Sequence, residues 1–148
     1  MTHSRRSFLS SLLALLLSWL PTPGRTRPAA SKPETTSPLE VAIATEAGGQ
    51  HPTESEQIKL EVPDLAEDGS IVPISIGTEM SNVESIWVFV EKNPTPLAAR
   101  FDLDKSLEPF VSLRIKMNES CDVIAMVKSG NDYYSAKKFV RVVLGGCG

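Results

Sequence analysis

The sequence has 148 residues, 41% apolar and 22% charged, which suits one globular core with appendages and leaves no length for a second full domain. The first thirty residues hold Arg5, Arg6, Arg25 and Arg27 and no acid, so from Ser31 onward 11 Lys+Arg face 18 Asp+Glu, a net of −7. That balance excludes nucleic acid and an anionic membrane surface as natural partners of the folded part.

The start reads as an address. Ser4-Arg5-Arg6-Ser7-Phe8-Leu9 is followed by an apolar run to Leu20 and then Pro21, Pro23 and Gly24, the charged, apolar and breaker order of an export signal. Phe8 to Leu20 is too short to span a bilayer, which takes about 20 residues, so no stable membrane anchor is expected. Paired arginines before Phe-Leu resemble the twin-arginine class of bacterial signals, which implies a periplasmic mature protein. Cleavage is expected between Gly24 and Ser31, and the lack of a cysteine there removes a lipoprotein. Residues 1–30 are therefore assigned to the signal.

Residues 31–55 read as linker and short helix. Thr26 to Pro38 is rich in Pro, Ser and Thr and cannot bury enough surface to fold. Leu39 to Ala47 places Leu39, Ala42, Ile43 and Ala47 along one side, and Gly48-Gly49 stops the run. So short a helix is marginal alone and has to dock on the domain.

From Gln57 the apolar period becomes two. Ile58, Leu60 and Val62 form a first strand, and Pro63 to Gly69 reads as a turn-rich loop. Val72, Ile74 and Ile76 form a second strand, which Pro73 places at an edge or a bulge, open to a partner. Ile86 to Glu91 is apolar on both faces, so it is covered either by a partner or by its own chain. Lys92-Asn93-Pro94-Thr95-Pro96 must be a loop, and Ala99, Phe101 and Leu103 follow as a short strand. Val111 to Met117 is the cleanest alternation, Cys121 to Val127 repeats it, Gly130-Asn131-Asp132 is a hairpin turn, and Tyr133 to Leu144 returns. Phe139 and Val143 lie on the second face of that last strand and make it, with Ile86 to Val90, a candidate partner surface. About seven short strands predict an all-β, immunoglobulin-like antiparallel sandwich over 56–144, with a short N-terminal helix.

Reactive groups are few. His3 belongs to the signal, leaving His51, Cys121 and Cys147. A structural zinc site takes about four ligands at close spacing, so no metal is expected, and no cofactor motif is present. Glu67-Asp68, Asp102 and Asp104 read as solvated turn carboxylates, and His51, before Pro52, as a solvated loop residue. Cys121 shares a face with Val123 and Ala125 and reads as a buried, inert thiol. A disulfide to Cys147 stays open as an alternative in an oxidising compartment.

The final stretch, Gly145-Gly146-Cys147-Gly148, sets a cysteine between glycines with nothing beside it to pack against. By itself it reads either as an incidental frayed tail or as a flexible arm that presents a thiol.

Several stretches in order carry a resemblance: Ile58-Lys59-Leu60, Pro63, Ala66-Glu67-Asp68-Gly69, Val72-Pro73, Glu91 to Leu97, Arg114-Ile115 and the Gly-Gly-Cys-Gly end. Together they resemble the SoxY family, the sulfur carriers of bacterial thiosulfate oxidation. The resemblance implies a carrier acted on by other enzymes and not itself a catalyst. It implies that Cys147 takes thiosulfate as an S-thiosulfonate, with Gly145, Gly146 and Gly148 as the flexible arm. It implies a SoxZ-like partner subunit in a heterodimer, a haem-containing enzyme that conjugates thiosulfate, a hydrolase that releases sulfate and a sulfur dehydrogenase. The family tail usually carries two glycines after the cysteine where this sequence has Gly148 alone. A carboxylate one residue away disfavours the thiolate, so the thiol is expected to gain its reactivity inside partner pockets. The rival reading is an interaction module whose cysteine is incidental or joins two copies by a disulfide.

Overall fold

The computed structural model describes residues 36–143. Its one helix, α1 (Pro38–Glu46), starts at a capping box. The Ser37 hydroxyl accepts the Glu40 N–H (3.2 Å) and the Glu40 carboxylate accepts the Ser37 N–H (2.8 Å), satisfying two otherwise orphaned donors. Pro38 opens the helix where no N–H is needed, and Gly48 (φ 60°) turns the chain out of it.

Nine strands follow: β1 (Thr53–Glu54), β2 (Ile58–Glu61), β3 (Leu65–Ala66), β4 (Val72–Thr78), β5 (Val83–Val90), β6 (Leu97–Asp102), β7 (Phe110–Ile115), β8 (Cys121–Ser129) and β9 (Asp132–Val142). The larger sheet runs β1-β9-β8-β5-β6, with β3 also on β9; the smaller runs β2-β4-β7. The expected all-β immunoglobulin-like sandwich is what the chain forms. Its long strands pair antiparallel, while the two-residue β1 and β3 pair parallel to β9.

Alternation puts one apolar row of each sheet into the space between them. Ile74, Ile76, Val111 and Ile115 from the small sheet meet Ile86, Val88, Val90, Val123, Val127 and Val140 from the large one. Burying each such side chain contributes about 1.5–3 kcal/mol.

Two sequence expectations are corrected by this arrangement. β4 is the middle strand of its sheet and not an edge. Pro73 is tolerated because Thr78 N–H points to the β7 side, at Pro109 O, so by alternation the proline nitrogen faces the β2 side. There β2 has already ended, at the Glu61–Ser75 pair. The second face of β5 is covered by the chain itself: Trp87 and Phe89 join Ile124 and Met126 beneath Leu39, Ala42, Ile43 and Ala47. That takes Ile86 to Val90 off the surface as a partner candidate. Glu46 fastens the helix there, accepting from Trp87 Nε1 (2.8 Å) and Arg100 (3.2 Å). The Arg100 guanidinium also lies 5.4 Å from the Trp87 ring centroid and bonds Asp102 at 3.1 Å.

Candidate functional site

Gly145, Gly146, Cys147 and Gly148 lie outside the described residues, as does the signal segment 1–30. The structure shows the ground from which the tail departs. β9 ends at Val142 at the end of the sandwich where β3 and β7 also end and β4, β6 and β8 begin.

The last residues of β9 are held on both edges. On one side, the Val142 N–H donates to Ser120 Oγ at 2.8 Å and the Ser120 hydroxyl donates back to Val142 O at 3.3 Å. On the other, Arg141 N–H donates to Asp64 O (2.9 Å) and Val143 N–H to Ala66 O (3.0 Å). Lys138 reinforces that second edge, reaching Val62 O (3.0 Å) and the Asp64 carboxylate (2.9 Å).

The neighbouring loops are bound to one another. Asn93 brackets the loop before β8: its Nδ2 donates to Lys116 O (2.7 Å) and its Oδ1 accepts the Asn118 N–H (3.0 Å). Met117 N–H donates to Gly69 O (2.7 Å). Gly69 fits because it has no side chain; a Cβ there would strike the Met117 carbonyl oxygen and lie 2.8 Å from Val142 Cγ1. A shallow groove beside the exit is lined by Glu67, Asp68, Ser70, Lys116, Asn118 and Val143.

Asp68 and Asp104 behave as turn residues, whereas Asp102, expected in a turn, closes strand β6 opposite Ser85. Asp68 is held below the usual carboxylate range by the Ser70 hydroxyl and N–H, and Asp104 likewise by Ser106. Asp102 is lowered by the Ser85 hydroxyl and then by Arg100. His51 is exposed. Cys121 is 1% exposed, and burial pushes its thiol up, Glu91 and Glu119 adding to the push while the Lys92 N–H opposes it. It is a poor nucleophile.

Outside the exit, the second face of β9 stays open. Phe139 and Val143 are 57% and 46% exposed, and Leu65, paired with Arg141, is 49% exposed. Among the described residues, no group of three or more His, Cys, Asp or Glu could hold a metal ion, and no helix is long and apolar enough to cross a membrane.

Of the motif stretches singled out in the sequence, Ala66 to Gly69 borders the end of β9, and Lys92 to Pro96 is tied through Asn93 to the loop before β8. Sequence reasoning missed Ser120, β3 and the bracketing role of Asn93. Ser120 carries no spacing signal, and two residues are too few to show a period.

A family model described as sulfur oxidation protein SoxY matches residues 43–147. Among solved structures, the sulfur carrier protein SoxY from Chlorobium limicola f thiosulfatophilum superposes with a TM-score of 0.65 at 33% identity, covering 72% of this chain and 96% of that one. A superoxide reductase (neelaredoxin) from Ignicoccus hospitalis matches at 17% identity and a TM-score of 0.52, covering 60% of this chain and 81% of its own, a likeness of fold alone. No curated protein matches the sequence.

Proposed function

The chain belongs to the SoxY family of sulfur oxidation proteins, and from that premise we propose that it is a sulfur carrier whose Cys147 holds thiosulfate-derived sulfur covalently. The observation that carries the reading is the family match itself, which runs through Cys147 and spans the loops gathered around the exit of the last strand.

In this reading the described fold is a handle and the tail is the tool. Cys147 follows Val143 by four residues, an extended reach of at most about 14 Å. Gly145 and Gly146 keep that tether thin and conformationally free. Joining the Cys147 sulfur to the outer sulfur of thiosulfate forms an S–S bond and removes an electron pair, which a haem-containing partner accepts. Water then releases sulfate in a hydrolase, leaving a sulfane sulfur on Cys147 for a sulfur dehydrogenase to oxidise. Tethering raises the local concentration of each intermediate for its next enzyme.

The same reading places the protein in the periplasm, exported through its twin-arginine signal and paired with a SoxZ-like subunit. Cys121, buried and with its thiol pushed up, leaves Cys147 as the reactive thiol. The test is Cys147→Ser in a strain that oxidises thiosulfate. The substitution abolishes thiosulfate oxidation while the protein stays folded and keeps its partner subunit. Undiminished oxidation with the serine variant would refute the carrier role.

A further inference from the structure

On its β8 edge the end of the last strand is held by two side chains that the carrier chemistry does not use. We propose that Ser120 and Asn93 are positioning residues that fix the point at which the tail leaves the sandwich. In its functional part this rests on the carrier reading above; in its structural part it does not.

The geometry is a two-step brace. Asn93 sits in the β5–β6 loop and uses both ends of its amide on backbone atoms of Lys116 and Asn118, at 2.7 and 3.0 Å. That fixes the loop that delivers Ser120, two residues further on. Ser120 then takes both polar atoms of Val142, the last strand residue, at 2.8 and 3.3 Å. β8 begins at Cys121, whose register partner is Val140, so the β8–β9 ladder stops two residues short of Val142. Ser120 stands in for the missing rung. Without it the Val142 N–H and C=O lose their protein partners on that edge, and the end of β9 frays, as weakly held strand ends do.

The consequence for delivery follows from tether length. With β9 held to Val143, the tether that the carrier reading gives Cys147 is four residues, Leu144 to Cys147. Fraying back to Val140, the first residue on the β8 ladder, takes the Arg141 and Val143 bonds with it and adds three more, and effective concentration falls with roughly the −3/2 power of length, a loss of about twofold to threefold. The brace therefore keeps the arm short and its origin constant. A serine serves because a hydroxyl both donates and accepts, and it does so at any pH at which the protein is folded.

The experiment combines amide hydrogen exchange with sulfur transfer on the full chain in its complex. Ser120→Ala is expected to lower protection of the Val142 amide by about tenfold, the worth of one lost hydrogen bond, while the Val123 and Val127 amides keep theirs. Asn93→Ala is expected to do the same more weakly, and Ser120→Thr to restore it. With thiosulfate-loaded protein and the sulfate-releasing hydrolase, Ser120→Ala lowers kcat about twofold to threefold at unchanged KM, as a lengthened tether predicts, and the threonine variant recovers it. Unchanged Val142 protection in both alanine variants overturns the brace. So does a loss that spreads to Val123 and Val127, which marks general destabilisation. Val142 protection lost without any change in transfer overturns the role of the brace in delivery, whereas absence of sulfate release from the unsubstituted protein as well counts against the carrier reading.

Discussion

The two ends of the described chain are both fastened to the larger sheet, by different physics. The N-terminal α1 lies on its outer face through apolar contact with Trp87 and Phe89 and through the Glu46 carboxylate, shared between Trp87 and Arg100. The C-terminal root of β9 is held mainly by neutral hydrogen bonds, backbone to backbone on the β3 side and through Ser120 on the other, with the exposed Lys138–Asp64 ion pair as an addition to them. Charged contacts that are partly exposed weaken with salt and with pH, while neutral ones are far less sensitive. The helix can therefore be loosened by solution conditions that leave the tail's origin in place.

That contrast can be broken by substitution. Trp87→Ala empties the site under α1 and orphans one Glu46 contact, and is expected to cost about 3–5 kcal/mol. Denaturant titration reads the loss, and amide exchange should find Val142 still protected in the folded state. Gly69→Ala acts at the opposite end. Its Cβ strikes the Met117 carbonyl and crowds Val142, costing about 1–3 kcal/mol, with lost protection at Met117 and Val142 and an unperturbed Trp87 indole resonance. If each variant disturbed both ends equally, the two attachments would not be independent.

Smaller effects sharpen the comparison. Glu46→Gln removes the ion pair to Arg100 but keeps an oxygen for Trp87, and is expected to cost about 1 kcal/mol or less. Much of that difference should vanish in high salt. Acid should reach the helix side through Asp102, whose carboxyl is lowered first by Ser85 and then by Arg100. A depressed folded pKa gives stability that is present above the ordinary carboxylate value of about 3.9 and is lost as pH falls through the folded value. The Trp87 indole resonance followed below about pH 4 checks this. Removing the carboxylate with Asp102→Asn should flatten that response.

Much of the fold was legible because its strands are long and half-buried. Val111 to Ile115 alternates cleanly, and the Cys121 to Val127 and Tyr133 to Val142 runs pair across Ser129 and Asp132 as a hairpin. The helix was legible from its glycine stop. What escaped was non-local. Pro73 predicts an edge, yet it lies in a middle strand at a place its neighbour does not reach. Ile86 to Val90 is apolar on both faces, and no pattern within it says whether a partner or α1 covers it. The cysteine proposed to carry sulfur stood out by its glycines, whereas Ser120 and Asn93 act on backbone atoms 22 to 25 residues away. Side chains that bond backbone leave no trace in hydrophobic period.

The most direct measurement is the intact mass of the mature protein taken from cells oxidising thiosulfate, followed by fragmentation of its C-terminal peptide. Carriage by Cys147 predicts a population heavier by one S-thiosulfonate group, located on Cys147 and removed by a thiol reductant, with Cys121 unmodified. An unmodified C-terminal peptide throughout active oxidation, or a species of doubled mass that collapses to the monomer on reduction, would contradict it.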